Sequence, residues 1–209
     1  MMGLLSNYTD RKLSYKQVIG IFCFLIVFSG FFGWFYEFVF YYFNSGMKMF
    51  YRRGGNFLPW INIYSTGSIM ILILTRKVKN NPFLVFLISF ISTGVLEFLS
   101  GFVIYEFFNM RFWDYNTEIL SFFNIGGYVC LRSVLFFALS GLFLVYFLIP
   151  FLIDLAFDFD VKWFFWLGII LCSIVLCDEF YNLIISKVFN LPCSSDIYRS
   201  IGFNFMKYH

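Results

Sequence analysis

Charged residues are scarce in this chain of 209 residues. Lys, Arg, Asp and Glu together make up 13% of it, whereas 61% is hydrophobic and 25% is aromatic. A soluble domain of this size needs roughly a quarter of its residues charged to cover its exterior. The shortage excludes a soluble enzyme, a disordered linker and a nucleic-acid-binding domain, despite the net charge of +3. It indicates an integral membrane protein that forms a single domain over residues 1–209.

Interior histidine, a nucleotide-binding loop and paired cysteines are also missing from the sequence. The sole histidine is the terminal His209, so no histidine-based metal site or catalytic triad can form inside the chain. A G-x-x-x-x-G-K-[ST] run does not occur, which excludes nucleotide hydrolysis through a P-loop of this chain. The five cysteines show no C-x-x-C spacing and are interpreted as small apolar residues within membrane helices. We therefore predict no catalytic residue, no metal site and no cofactor.

Long apolar runs dominate the sequence instead. A bilayer core of about 30 Å needs roughly 20 apolar residues in a helix. Five segments meet this need, and none shows the alternation expected of a transmembrane strand. The predicted fold is an all-α, polytopic membrane protein with spans near residues 18–43, 57–75, 83–108, 129–149 and 163–185, followed by a polar tail over 186–209. We interpret the first span as an uncleaved anchor and expect Pro150 to end the fourth.

The orientation is predicted from the basic residues that flank the spans. With five spans, seven Lys or Arg residues fall on each side of the membrane, so the positive-inside rule gives a tie. If Arg52 and Arg53 pair with acidic residues, they no longer serve as topology signals. The remaining basic residues then favour a cytoplasmic N-terminus. We therefore expect a multi-pass protein, in a bacterial plasma membrane, with its N-terminus inside.

Several charged residues lie within the predicted spans, where such residues are rare and usually face the bundle interior or a watery cavity. Glu37 shares a helical stripe with Gly30 and Gly33, and a shallow position near the headgroups is the alternative. Glu97 lies near the middle of the third span among small residues, and a neutral carboxyl bonded to a neighbouring helix is the purely structural alternative. Arg132 begins the fourth span, and its long side chain could simply extend to the water interface.

A polar cluster is predicted where the ends of three spans meet one face of the membrane. Its acids and bases are nearly balanced, which indicates a partly buried, ion-paired group, with a solvated rim of charges as the alternative. The expected members are Glu37, Arg52, Arg53, Glu106, Arg111, Asp114, Arg132, Asp178 and Glu179. Beside them, the apolar segment 119–131 is broken by Asn124 and two glycines, so we predict a surface or re-entrant segment. Trp113 is interpreted as part of an interfacial aromatic anchor.

Four patches of the sequence match motifs of a known family. The first is Gly33-Trp34-Phe35-Tyr36-Glu37, which is similar to a G-W-x-x-E motif. The second comprises Arg53-Gly54, Pro59 and Ile63-Tyr64, which keep the spacing of R-G-F-L-x-G-P-x-x-P-I-Y-G-x-G. The third joins Leu96-Glu97-Phe98 and Glu106 to Arg111-Phe112-Trp113-Asp114-Tyr115 and resembles L-E-Y-x-x-G … E … W-W-D-Y. The fourth runs from Asn124 to Leu131 and is similar to N-x-x-G-R-I-x-L, with Tyr128 in place of the arginine. On these residues the chain resembles the ABC-transporter type IV proteins, also called the CmpB-like family, over about residues 29–150.

The resemblance implies a transporter or permease-like membrane protein of unknown substrate, acting as the membrane subunit of an ABC-type system. Its expected partners are the lipid bilayer, a second copy or another membrane subunit, and a separate ATPase, with no nucleic acid. The chain itself is not expected to be an enzyme. A non-catalytic membrane scaffold and an intramembrane lipid-modifying enzyme remain as alternatives. The candidate functional residues are Glu37, Arg53, Tyr64, Glu97, Glu106, Arg111, Trp113, Asp114, Asn124 and Arg132.

Overall fold

A computed structural model describes residues 2–44, 47 and 55–202 of the chain. Its helices are α1 (Met2–Leu5), α2 (Tyr15–Asn44), α3 (Asn62–Thr75), α4 (Pro82–Phe108), α5 (Leu131–Asp158), α6 (Val161–Val188) and α7 (Ser194–Ser200). Between α4 and α5 lie a 3-10 turn, Tyr115–Thr117, and a single antiparallel bridge between Ile125 and Val129. The prediction of an all-α fold is confirmed.

Four helices, α2, α4, α5 and α6, are long and apolar enough to cross a membrane, and α3 is a shorter apolar helix. The protein is therefore a multi-pass membrane protein, close to the five spans predicted. At 1.5 Å per residue, the 14 residues of α3 extend only about 21 Å, which is less than the apolar core of a bilayer. This helix begins at Asn62 rather than at Phe57 as predicted. The Asp178 carboxylate accepts from the N–H groups of Phe57 and Leu58, and this contact holds the two residues in the non-helical segment before α3.

The prediction that Pro150 ends the fourth span is wrong, because α5 continues through the proline to Asp158. A π-helical turn, Leu144–Leu148, directly precedes Pro150, and in it the Ile149 N–H donates to the carbonyl five residues back. Such a widened turn accommodates the missing N–H and the ring of proline without ending the helix. A second π-helical turn lies within α6, which runs to Val188 and so includes the start of the predicted tail.

The chain folds as two compact units. Among the described residues, the first unit takes in the N-terminal segment up to residue 14 and residues 66–155, and the second takes in residues 15–65 and those from 156 onward. In the first unit α4 packs against α5, and in the second α2 packs against α6. The rings of Phe24 and Phe164, with centroids 4.9 Å apart, belong to the α2–α6 contact. The prediction of one domain over the whole chain stays a prediction.

The N-terminal segment of the first unit is held against the turn between α3 and α4. The Asn7 side chain donates to the Arg76 carbonyl over 3.0 Å, and the Lys79 ammonium lies 4.8 Å from the centre of the Tyr8 ring. Arg11 forms an ion pair with Asp154 of α5. Burial raises the pKa of Tyr8 to about 12. These contacts group several basic residues at one end of the unit.

Candidate functional site

A buried carboxyl group forms the centre of the polar network in the first unit. Glu97 lies on the buried face of α4 together with Ser89 and Thr93, at helical spacing, and only 3% of it is exposed. The Tyr115 hydroxyl donates to Glu97 Oε1, and the Ser133 hydroxyl donates to Oε2 over 2.7 Å. The prediction that Glu97 faces the protein interior therefore agrees with its position in the structure.

An ion pair lies beside this carboxyl group. Arg132, at the start of α5, donates to Glu118 Oε2 over 2.6 Å, and these side chains are only 14% and 3% exposed. The Arg132 guanidinium carbon also lies 5.4 Å from the centre of the Tyr115 ring, whose hydroxyl bonds to Glu97. Arg132 thus pairs inside the protein instead of extending freely to the water interface. Tyr115 thus contacts both Glu97 and Arg132.

These five residues, Glu97, Tyr115, Glu118, Arg132 and Ser133, are called the Glu97 network below. It contains two carboxyl groups and one guanidinium, so it carries one more negative than positive charge when all three ionise. Burying an ion costs several kcal/mol even after a protein relaxes around it. Charged groups within membrane helices are therefore candidates for function unless a structural role accounts for them.

The loop before α5 is held together by side-chain hydrogen bonds. Arg111 and Asp114 form an ion pair over 2.7 Å, and Asp114 also accepts from the backbone and the side chain of Asn116. The Asn124 side chain donates to Asn116 Oδ1 over 2.7 Å and accepts from the Gly127 N–H over 2.8 Å. Gly127 has a φ of +82°, and a side chain there would meet Asp114 and Asn116. This loop explains the polar part of the third and fourth sequence motifs.

Aromatic residues surround the same loop. The Trp113 indole donates to the Tyr128 carbonyl over 2.8 Å, and the Arg111 guanidinium lies 4.4 Å from the centre of the Tyr105 ring. The Tyr128 hydroxyl donates to Glu106 over 3.2 Å. Desolvation is the main cause that raises the pKa of Tyr128, and the hydrogen bond to the Glu106 carboxylate raises it further. Trp113 therefore acts here as a hydrogen-bonded loop residue.

In the second unit, the glycine-rich stripe of α2 meets two aromatic rings. Gly33 packs so closely on Tyr64 that a side chain on this glycine would overlap the ring, and the Tyr64 hydroxyl donates to Glu37 over 3.0 Å. The indole of Trp60 donates to the Ile26 carbonyl over 3.0 Å. The G-W-x-x-E motif is thus the surface on which the segment around Tyr64 packs.

A second polar contact in this unit holds the segment before α3. Asp178 accepts from the N–H groups of Phe57 and Leu58 over 2.9 and 2.7 Å, and from the Asn182 side chain over 2.8 Å. The Asn56 side chain donates to Glu179 over 2.5 Å. Asp178 and Glu179 belong to the predicted polar cluster, whereas Asn56 and Asn182 were missed. Neutral amides carry no charge signal in a sequence, which is why they were missed.

The structure divides nine of the ten candidate residues between the two units. The first unit holds Glu97, Glu106, Arg111, Trp113, Asp114, Asn124 and Arg132, and the second holds Glu37 and Tyr64. Arg53, like Arg52 of the predicted cluster, lies outside the described residues. Sequence reasoning missed Glu118 and Ser133, although an acid 14 residues before Arg132 was a usable signal for the ion pair. Tyr115 stands in the third sequence motif but was not among the candidate residues.

Comparison with known proteins bears on both units. The family model described as "Putative ABC-transporter type IV" matches residues 22–183, more than three quarters of the chain. This range contains the Glu97 network, the loop before α5 and the contact between Glu37 and Tyr64. No curated protein and no solved structure matches the chain.

Proposed function

Because the chain belongs to the ABC-transporter type IV family, we propose that it is the membrane subunit of an ABC-type transport system. The sequence has no P-loop, so in this proposal a separate ATPase supplies ATP hydrolysis and the chain itself catalyses no reaction. The family match and four membrane-spanning helices support a transporter-like membrane protein. The association with a separate ATPase is the part that the proposal adds.

The observation that carries the proposal is the Glu97 network. Two carboxyl groups and a guanidinium are buried beside two membrane-spanning helices, α4 and α5, within the range that the family model matches. Apolar residues would pack α4 on α5 without the cost of burying ions. Transport paths, by contrast, require ionisable and polar groups at depth, because they exchange contacts with a polar substrate or an ion.

The proposed assembly contains more than one membrane subunit. Four long helices and one short one are few for a complete path, so we expect a second copy or another membrane protein beside the chain. The basic residues at one end of the first unit, Arg11, Lys12, Arg76, Lys77 and Lys79, favour a cytoplasmic position for that end. We place the protein in a bacterial plasma membrane, where the ATPase would bind on this side.

A co-purification experiment tests the proposal. The tagged full-length chain is extracted in native lipid, washed stringently and assayed for ATP hydrolysis and for stoichiometric partners by mass spectrometry. We expect an ATPase in fixed ratio to the chain, and we expect its activity to disappear when the tagged chain is omitted. A folded, homogeneous chain that brings no nucleotide-hydrolysing subunit, from its own host and without dissociating detergent, would refute the assignment.

A membrane scaffold is the second candidate, and the loop before α5 favours it. The polar side chains of this loop, Asp114, Asn116 and Asn124, form hydrogen bonds with one another, and Asn124 also accepts from the Gly127 N–H. Such contacts are expected of residues that fix the conformation of a loop. A lipid-modifying enzyme has less support, because both oxygens of Glu97 are already bonded to Tyr115 and Ser133. In the scaffold case, substitutions in the Glu97 network would lower stability and nothing else.

A further inference from the structure

We propose that Glu97 is a reversible proton-binding site and that Ser133 reorients to accommodate the proton. This inference deepens the proposed function, and it rests on that function only for the use to which the proton is put. Proton binding itself is a property of the chain, and it can be measured without a partner subunit.

The Ser133 hydroxyl has two acceptors within reach, and this is the observation that carries the proposal. Its oxygen lies 2.7 Å from Glu97 Oε2 and 2.8 Å from the Cys130 carbonyl oxygen. A hydroxyl has one proton to donate, so it can satisfy only one of the two acceptors at a time, while its oxygen can accept a bond from elsewhere. The site therefore permits two hydrogen-bond arrangements without movement of the backbone.

When Glu97 is ionised, both of its oxygens accept hydrogen bonds. The Tyr115 hydroxyl donates to Oε1 and the Ser133 hydroxyl donates to Oε2. Donors aimed at each oxygen stabilise a buried carboxylate. The first arrangement thus suits the charged form.

When Glu97 binds a proton at Oε2, the second arrangement takes over. The new O–H donates to Ser133 Oγ, the Ser133 hydroxyl turns to donate to the Cys130 carbonyl, and Tyr115 continues to donate to Oε1. One proton is gained from water, and no other covalent bond is made or broken. Every polar atom of the triad stays hydrogen-bonded, so the neutral form leaves no buried donor unsatisfied.

The charges around Glu97 favour the uptake of one proton. Among the described contacts, Glu118 and Arg132 are the charged groups of the network, Tyr115 bonds to Glu97 itself, and Cys130 contacts Ser133. Residues 66–75 of α3 contain no titratable side chain. With all three ions charged, the network has an unbalanced negative charge, and a single proton removes it. A buried net charge is costly, so the balanced state is favoured.

Infrared spectroscopy of the full chain in lipid nanodiscs tests the proposal. The carbonyl stretch of a protonated carboxyl group is followed between roughly pH 4 and pH 9, which covers ordinary and strongly shifted carboxyl groups. We expect a band that titrates with pH and is absent in Glu97→Gln. We also expect Ser133→Ala to move the band to higher frequency, because the O–H loses its acceptor. Ser100→Ala is the matched control. Ser100 lies on α4, as Glu97 does, but its hydroxyl donates to the Leu96 carbonyl.

A second variant gives a directional test that does not depend on how Glu97→Gln folds. Glu118→Gln removes one negative charge beside the site, so the midpoint of the titration should fall to lower pH. The proposal is overturned if no band is lost in Glu97→Gln, or if Ser133→Ala and Ser100→Ala give the same spectrum as the wild type. A chain that binds the proton but carries no ATPase keeps this inference and loses the proposed function.

Discussion

Arg132 at the start of α5 is paired with Glu118 across 2.6 Å, and both side chains are nearly sealed from solvent. The pair connects Glu118, which directly follows the 3-10 turn Tyr115–Thr117, to the membrane-spanning helix α5. It also places a cation beside Tyr115, which bonds to Glu97. The two buried carboxyl groups of the first unit are thus linked through one tyrosine and one arginine.

The ion pair should show strong coupling in a double-mutant cycle. Glu118→Gln leaves a buried guanidinium without its charged partner, and we expect it to lower the free energy of unfolding by about 3 to 5 kcal/mol. Arg132→Met should cost a similar amount, whereas the double substitution should cost clearly less than the sum. Denaturant unfolding in lipid nanodiscs measures all three. Additive costs would show that the two side chains do not interact.

Gly127→Ala should destabilise the loop before α5 more than its backbone conformation alone requires. Its φ of +82° is unfavourable for alanine, and the added methyl group would also collide with Asp114 and Asn116. Gly202→Ala is the matched control, because its φ of +83° is nearly the same and an added methyl group there would meet no atom of the described residues within 4 Å, apart from the adjoining residues. We expect about 1 kcal/mol for the control and a loss at least twice as large for Gly127→Ala. Equal losses would mean that the loop contacts are absent.

The packing of Gly33 on Tyr64 predicts a suppressor relationship in the second unit. Gly33→Ala places a methyl group within the Tyr64 ring, so we expect a loss of a few kcal/mol in the free energy of unfolding. Tyr64→Ala removes the obstacle, and Gly33→Ala should then cost little in that background. Tyr64→Phe keeps the ring and removes the hydroxyl group that donates to Glu37, so it should not act as a suppressor. Thermal unfolding of the three single variants and of the two double variants that contain Gly33→Ala checks the prediction.

The predicted orientation can be tested by cysteine labelling. In a background without native cysteines, a cysteine at exposed Gly55 should react with a membrane-impermeant reagent in intact cells. A cysteine at exposed Lys77 should react only after the cells are opened. This pattern follows from a cytoplasmic N-terminus and the basic residues around Lys77. The reverse pattern would overturn the orientation.

Much of the fold could be predicted from the sequence, because the bilayer requires long apolar helices whatever the packing. The end of α5 could not. Proline is a reliable helix terminator on average, but the π-helical turn before Pro150 is a backbone adjustment with no residue signature. The start of α3 was missed for a related reason. The N–H groups of Phe57 and Leu58 bond to Asp178, which lies 120 residues further along the chain.

The candidate site was predicted in part. Glu97, Arg132 and Asp114 could be found because a charge in an apolar segment is conspicuous, and family motifs contain two of them. Their partners could not be inferred in the same way. Tyr115 belongs to the third motif and Ser133 to none, and in neither case does the sequence show that the hydroxyl reaches Glu97, because this depends on how the loop folds between α4 and α5. The contact in which the Asn124 side chain accepts from the Gly127 N–H was also not predictable from the sequence, because it depends on the conformation of the loop.

The central claim is that the Glu97 network belongs to a transport mechanism and is more than a structural contact. The most direct test is the rate of ATP hydrolysis of the complex purified through this chain, compared between wild type, Glu97→Gln and Ser100→Ala at matched thermal stability. We predict that Glu97→Gln lowers the rate at least tenfold, equivalent to about 1.4 kcal/mol, while Ser100→Ala retains the wild-type rate. Equal rates in all three folded complexes would contradict the account and leave the network a scaffold.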